Sequence, residues 1–526
     1  MDTEEKVAGK DDLADGQMRE VQVRDRRVLL VRLDGEFRAY APQCPHQGAP
    51  LADGVLHDGH VRCPWHQAVF DLRNGGLVEP PALDPLPRYE TRVEGNDVIV
   101  VLPPDATEGA RKEEPAGYDA DADGRTFGIV GAGAAGLAAA ELLRDEGFRG
   151  RIVVFTREEH ASYDRTQLSK ARLANADAPR PTIRANAFFE NRGIEILTGH
   201  EVTEADVSAR TVTCGDGEPL KCDRLLLATG GAPRRLNADG ADLANVFTLR
   251  SLADGERIRD AAGGASKAVV VGASFIGMEA AAALTQRGLD VTVIAPETVP
   301  LKRVFGERIG RMYLQLHEDQ GTAFRLGETV ARFEGDGVVR RVVLKGGDTI
   351  DADLVVVGIG VRPATEYVTG VKTNDDGSLT VDTRLRAGEG VFAAGDIATF
   401  PDWRTGEPIR IEHWRLAQQH GRTAARGMLD QDAPCAGVPF FWTSQHKVIT
   451  DYVGHTREWD DIEFDGDPAK RDFVAYYVRG GKVLAAAGCN REWQMAAIAE
   501  VLKPPESPTL DELLQALDGM SAAKGD

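Results

Sequence analysis

Four folded parts are expected along this chain: an N-terminal all-β domain, two related parallel-sheet α/β units, and a C-terminal α+β domain. Three observations carry that expectation. Short strand-like texts separated by turn residues fill roughly the first hundred positions. From Thr126, apolar strands alternate with Ala-rich helical stretches, the pattern of parallel α/β units. A Gly-rich strand-to-helix turn then occurs twice, about 140 residues apart. The length of 526 residues suits three to four domains of ordinary size.

The all-β domain is read over 7–102, with strands at Val21-Gln-Val-Arg, Val28-Leu-Leu-Val-Arg, Phe37-Arg-Ala-Tyr and Val98-Ile-Val-Val. It carries Cys44-Pro-His46, sixteen further residues, then Cys63-Pro-Trp-His66. Two thiolates for one iron and two imidazoles for the other make the donor set of a Rieske-type [2Fe–2S] centre. Each short loop offers one sulfur and one nitrogen, so two facing loops can clasp both irons. Each loop has a Pro, and Gly48 follows the first. A structural Cys₂His₂ zinc site uses the same residue types; the C-x-H and C-x-x-H loops favour the cluster. The motif implies one-electron chemistry and a donor elsewhere in the chain.

A formal charge of -21 argues against nucleic acid and anionic membrane as partners. The acidity reads as solubility, or as steering toward a basic redox partner. Six Cys are too few for a disulfide framework. Cys44 and Cys63 go to the cluster; Cys214, Cys222, Cys435 and Cys489 read as reduced or buried thiols. Met1 to Asp15 is acidic without an apolar core, so no signal peptide is read. No charge-free apolar stretch reaches the ~18 residues of a membrane span, and the cytoplasm is the expected compartment.

Residues 103–124 are rich in Pro, Gly, Ala and charge, and read as a linker that lets the cluster domain swing. The first α/β unit is placed at 125–248 with 373–430, the second at 249–372, and the last domain at 434–526. That last domain has strands near Phe473 and Val483 and helices at Glu492–Leu502 and Leu510–Leu517.

The first turn is Gly131-Ala-Gly133-Ala-Ala-Gly136, between an apolar strand and an Ala-rich helix. It is a Rossmann-like nucleotide site, in which a pyrophosphate approaches the helix N-terminus. The next strand, Arg151-Ile-Val-Val-Phe, ends near Glu158, placed for ribose hydroxyls, with Glu159 adjacent. The second turn is Gly272-Ala-Ser274-Phe-Ile-Gly277, with Ser where the middle Gly belongs. Its strand reaches Ala295 where an acid is expected, and Glu297 comes two places later. Lys302 and Arg303 follow and suit a 2′-phosphate. NADH against NADPH stays open, with a lean to NADH on Glu297. A Cys-x₄-Cys redox pair is absent from the first unit, so electrons leaving it go to a cluster or an outside partner.

Residues 41–81, with CPHQGAPL, CPWH and FDLRNG, resemble ferredoxin-type Rieske domains. Residues from 126 to about 500 resemble the two-nucleotide flavoprotein reductases that serve oxygenase ferredoxins, and most of all the apoptosis-inducing-factor-like branch that fuses a Rieske domain to such a reductase. The motifs are Tyr163-Asp-Arg165-Thr-Gln-Leu-Ser-Lys170, Leu227-Ala-Thr229-Gly230-Gly, Val357-Gly-Ile-Gly360-Val-Arg-Pro, Val391-Phe-Ala-Ala-Gly395-Asp396 and Pro439-Phe-Phe-Trp442-Thr. The resemblance implies an NAD(P)H-dependent oxidoreductase. Gly131, Gly133, Gly136, Glu158, Arg165, Lys170 and Asp396 would hold FAD, with Thr229, Gly230, Gly395 and Trp414 beside them. Gly272, Ser274, Gly277, Glu297 and Gly360 would serve NAD(P)H. Lys170 would pair with Glu279 at the flavin's reactive edge, where a cation stabilises the reduced anionic ring. Glu412 and His413 also fall where the family places residues against the flavin. The implied acceptor is a ferredoxin, cytochrome or oxygenase component. A redox-sensing flavoprotein of slow turnover is the alternative, and the last domain carries a homodimer as an option.

Departures from the family are informative. Ser162 and Thr166-Gln167 replace usual prolines, so the Lys170 loop is expected to be less stiff. Gln67 replaces a usual Gly after His66. Asp53, His57 and His60 lie too near the cluster loops for an oxygenase iron and read as surface residues. Where high-potential Rieske centres carry a bridged pair of Cys residues this chain has Ala49 and Trp65, and where they carry a Ser donor to a cluster sulfur it has Ala68. Fewer hydrogen bonds to sulfur leave the reduced cluster less stabilised. A cluster midpoint near the low end of the Rieske range, roughly -150 mV, is therefore expected. Redox titration read by electron spin resonance measures it, and a midpoint well above zero contradicts the argument.

Overall fold

The computed structural model describes residues 3–104, 117–503 and 506–524. The N-terminal domain has two antiparallel sheets. Six strands run in the order Thr3–Gly9, Asp97–Leu102, Arg88–Glu94, Glu36–Tyr40, Arg26–Leu33 and Gln17–Val23. Four short strands, Val55–His57, His60–Arg62, Val69–Asp71 and Gly76–Glu79, make the second sheet. The domain begins earlier than residue 7 because Thr3–Gly9 pairs with Asp97–Leu102 along the sheet edge. That edge strand leaves alternate residues exposed, so its charged text hides the strand. The four strands of the second sheet are too short to show an alternation in the sequence.

Both α/β units have parallel central strands covered by helices, which is why those strands are almost wholly apolar. The first sheet runs Ile194–Leu197, Arg151–Phe155, Thr126–Val130, Arg224–Leu227, Val391–Ala393 and Arg386–Gly388, the last strand antiparallel. The second runs Val246–Thr248, Leu354–Val357, Lys267–Val271, Asp290–Ala295 and Ala323–Leu326. Two boundaries move relative to the sequence reading. Val246–Thr248 joins the second sheet through Leu354–Val357. Val368–Thr369 pairs with Val202–Asp206 on the first side. Strands of two or three residues take their sheet from whichever edge is open, which no local text records.

The C-terminal domain is a five-stranded antiparallel sheet between Phe440 and Cys489, with helices Glu492–Val501 and Leu510–Lys524. The second helix runs past the expected Leu517. No helix among the described residues is long and apolar enough to cross a membrane.

The expected linker lies mostly outside the described residues. On its flanks, Arg26 donates to the Pro103 and Pro104 carbonyls, and Asp119 pairs with Arg149 at 3.1 Å. In this structure the cluster domain is docked against the other domains. Helix Trp414–Met428 presents Arg415, Gln419 and Arg422 along one face toward it. Gln419 donates to Glu79 and Arg422 to the Leu77 carbonyl, at 3.3 and 3.1 Å. Arg62 pairs with Glu500 of the last domain at 2.5 Å, both side chains buried. Asp84 receives both Arg184 nitrogens, at 2.9 and 3.0 Å. Val55 even belongs to the core of the C-terminal domain. Burial of paired charges on this scale fixes an interface, because separating them strands each charge.

Gly421 lets the same helix cross Ala134–Asp145 at close range: a Cβ there would stand 2.0 Å from the Ala135 carbonyl oxygen. Gly421→Ala is expected to cost about 2 kcal/mol, an overpacking penalty. Thermal unfolding checks this, and an unchanged transition contradicts it.

Candidate functional site

The two cysteine loops share one backbone plan. The Cys44 amide donates to the Ala49 carbonyl and the Cys63 amide to the Ala68 carbonyl, each at 2.8 Å. Each loop then needs a left-handed residue after its His-containing turn: Gly48 has φ +78° and Gln67 has φ +65°. Gln67 thus makes the turn expected of glycine, at the cost of a side-chain Cβ in that conformation. The loops face one another. The Cys44 and Cys63 thiols hydrogen-bond each other, and the His46 and His66 Nδ1 atoms stand 3.2 Å apart. Burial lowers both imidazole pKa values, His66 to about 3 with help from His46, so both rings are neutral and free to ligate. Among the described residues, no three His, Cys, Asp or Glu groups converge on one metal ion. The donors form a sulfur pair and a nitrogen pair, which suits two irons rather than one zinc.

A cavity of about 380 Å³ opens at the first Gly-rich turn. Gly131 has φ +112°, and a Cβ there would meet the Ala228 carbonyl at 2.3 Å. Its twin Gly272 has φ +109° and would meet the Gly358 carbonyl at 2.4 Å, so the two units repeat one turn. Gly131, Gly133, Glu158, Arg165, Thr229, Gly230, Gly395, Asp396 and Trp414 all line the first cavity. Gly136 does not; it packs its helix on the Gly131 carbonyl. Glu158 accepts from the Tyr163 hydroxyl at 2.6 Å and from Arg165 at 2.9 Å. Glu159 turns instead toward Gly199. Asp396 is held by Arg250 at 2.7 Å, and Arg250 lines the cavity too.

A second cavity of about 910 Å³ adjoins it, sharing Arg250, Ile276, Glu412 and Trp414. Lys170, Ser274, Glu279, Gly360 and His413 line it. Gly272, Gly277 and Glu297 do not, and Glu297 pairs with Arg303 at 3.3 Å. Lys170 and Glu279 meet at 2.8 Å. The other Glu279 contacts come from Ser169 at 2.5 Å and Thr443 at 2.8 Å, so the buried carboxylate is fully held. The Lys170 loop is pinned without its prolines: Asp164 accepts from the Thr166 amide and hydroxyl, at 2.9 and 2.7 Å. The His413 ring stacks on Phe441 at 4.2 Å. Trp442 also lines this cavity, and its ring lies 4.5 Å from that of His66. His57 and Asp53 are exposed, away from these cavities.

Residues 126–421 match the pyridine nucleotide-disulphide oxidoreductase model, 3–90 the Rieske [2Fe-2S] domain and 440–519 the reductase C-terminal domain. The chain belongs to the pyridine nucleotide-disulphide oxidoreductase family. This oxidoreductase is 40% identical to human apoptosis-inducing factor 3 over 504 residues, 93% of this chain and 82% of that protein. It is 35% identical to the ferredoxin–NAD(+) reductase component of the biphenyl dioxygenase system of Paraburkholderia xenovorans, over 70% of this chain and 92% of that one. The putidaredoxin reductase–putidaredoxin complex superposes with a TM-score of 0.71 at 28% identity, covering 76% of this chain and 99% of that chain. The oxidoreductase uses FAD, NAD(P)H and a Rieske [2Fe–2S] cluster. All six of its cysteines are free, and none lines either cavity, so no disulphide stands beside the nucleotide sites.

Sequence reading missed Arg250 and Arg415. Arg250 sits among ordinary charged text before a helix cap. Arg415 is followed at helical spacing by Gln419 and Arg422 in an otherwise buried helix, a polar stripe that signals a buried partner.

Four histidines are held neutral: desolvation pulls the half-buried His413 to about 3, and the buried His317 and His420 and the half-buried His455 to about 4. Their unfolded value is near 6.5. Below that pH the unfolded chain binds protons that the folded chain refuses, so stability is complete above about 6.5 and falls as pH drops toward 4. Denaturant unfolding at stepped pH measures this; a flat profile between 6.5 and 4.5 contradicts it.

Proposed function

We propose that this protein receives hydride from NAD(P)H in the larger cavity and passes electrons singly through its own cluster to a protein acceptor. Bound FAD supplies the conversion of a two-electron donor into one-electron steps, and the cluster supplies a one-electron site. Cys44, His46, Cys63 and His66 hold the cluster. The turn at Gly131, Gly133 and Gly136 receives the FAD pyrophosphate at a helix N-terminus. Glu158 and Arg165 flank its adenosine end; Thr229, Gly230, Gly395, Asp396 and Trp414 enclose the rest. Lys170, oriented by Glu279 at 2.8 Å, would stand beside the flavin's reactive edge. Ser274 and Gly360 face the nicotinamide nucleotide, Gly272 and Gly277 shape the turn behind them, and Glu297 is set back against Arg303.

The observation that carries this reading is Trp442. It lines the cavity of Lys170 and Glu279 and packs on the ring of His66. Donor site and cluster are therefore neighbours within one chain, and the route needs no second copy. Trp65 is 42% exposed with its ring 6.4 Å from that of His66, and it marks the face on which a ferredoxin, cytochrome or oxygenase component would receive the electron. Relatives named for service to ferredoxins support that acceptor class. Free thiols throughout support a reducing, cytoplasmic setting.

Anaerobic mixing with NADH, followed by flavin absorbance and cluster spin resonance, tests this. Both signals are expected to appear in order, with Trp442→Ala slowing the second on the order of tenfold, about 1.4 kcal/mol in the barrier. A cluster that stays oxidised beside a bleached flavin refutes it. A redox-responsive flavoprotein is the second reading, favoured by the likeness to human apoptosis-inducing factor 3 across 93% of the chain. Negligible cytochrome c reduction with a persistent long-wavelength band supports that one.

A further inference from the structure

We infer that Arg415 is a positioning residue for electron transfer into the cluster: it fastens the second cluster loop directly to the helix that lines the flavin cavity. The inference rests on the electron route proposed above. Trp414, the first residue of helix Trp414–Met428, lines both cavities. Arg415, the next, also borders the larger cavity but is only 1% exposed, and it gives its donors to three parts of the chain. Nη2 donates to the Gln67 carbonyl at 2.8 Å and to Glu79. Nε donates to the Pro80 carbonyl at 2.8 Å, and Nη1 to the Val438 carbonyl at 3.2 Å, four residues before Trp442.

The receiving loop needs such a hold. Gln67 follows the ligand His66, is fully buried and left-handed, and neither atom of its side-chain amide has a hydrogen-bond partner. A non-glycine residue in that conformation with an unsatisfied buried amide persists only when its surroundings fix it. The planar fork of a guanidinium can hold a carbonyl and a carboxylate together; an ammonium is a single point. The charge is offset in place. Burial pulls the Arg415 pKa down to about 10, and Glu79, despite its own burial, is held down to about 2 by Arg62 and Arg415, so both are ionised at neutral pH. Losing Arg415 would free the loop that sets His66 against Trp442.

The test uses the holoprotein and two variants, Arg415→Lys and Glu79→Gln. Flavin reduction and cluster reduction by NADH are timed separately in single-turnover mixing. Hydrogen exchange over residues 62–80 reports on the loop independently of activity. The expected result is a fall of tenfold or more in the cluster phase for Arg415→Lys and a smaller fall for Glu79→Gln, with faster exchange in both. Flavin reduction in Glu79→Gln should match wild type. Wild-type cluster reduction in both variants overturns the inference, as does an equal slowing of both phases. If Arg415→Lys does not fold, Glu79→Gln decides alone: unchanged cluster reduction rejects it. Absence of cluster reduction in the wild-type protein rejects the electron route itself, a result distinct from either.

Discussion

A guanidinium without access to water sits where three domains meet, and the arrangement of the redox sites follows from how it is satisfied. Isolated, such a charge would cost several kcal/mol. Here Arg415 reaches three carbonyls and one carboxylate, while Arg62 bridges Glu79 and Glu500, and Lys503 closes on Glu500 at 2.5 Å. The cluster draws on stretches near residues 62–80, 415–438 and 500–503, far apart in the sequence. A small rotation of the cluster domain would unpair several of them together. Such an interface has one good geometry and penalises its neighbours, which is a different property from strength.

The two α/β units show how one turn is reused for different ends. Gly131 and Gly272 adopt nearly the same backbone, and Gly136 and Gly277 press their helices on the same carbonyl of the turn. Around the first turn, charged side chains converge: Glu158 with Arg165, Asp396 with Arg250. Around the second, Ser274 narrows the floor and its hydroxyl makes no cap to the helix it precedes. The first cavity is the smaller, about 380 Å³ against about 910 Å³ for the second. The family's name speaks of a disulphide, but no cysteine reaches the junction of the two cavities. Trp442, on the wall of the larger cavity, packs against the ring of His66 instead.

Much of this was legible in the text because it is local. A Gly-rich turn after an apolar strand, or a Cys and His two places apart, carries its meaning within ten residues. Lys170 and Glu279 are 109 positions apart, and only the family motifs put them together. Arg415 and Glu79 are 336 apart, and nothing local in either says that they meet. Gln67 was visible as a departure from glycine, yet whether the backbone would follow glycine's path depended on a distant donor to its carbonyl. Domain boundaries blurred for a related reason: Val246–Thr248 and Val368–Thr369 are short strands that complete another unit's sheet. The linker suggested motion by its composition, but composition does not see the ion pairs that hold the domains on either side of it.

Fixed docking changes what limits the electron's path. A separate carrier must find its reductase anew for each electron, with the translational cost of association each time. A domain held in contact has no such cost, and its effective concentration does not depend on protein concentration. The wall between cavity and cluster is aromatic and packed: His413 lies on Phe441, Phe441 against Tyr452 at 5.1 Å, and Phe440 beside Trp442 at 6.0 Å. With that inner step made intramolecular, diffusion enters only at the two ends, where the nicotinamide nucleotide arrives and where the acceptor leaves with an electron. On the proposed route the second of these falls on the cluster domain, so acceptor choice would be governed by the surface of the smallest redox domain rather than by the nucleotide-binding units.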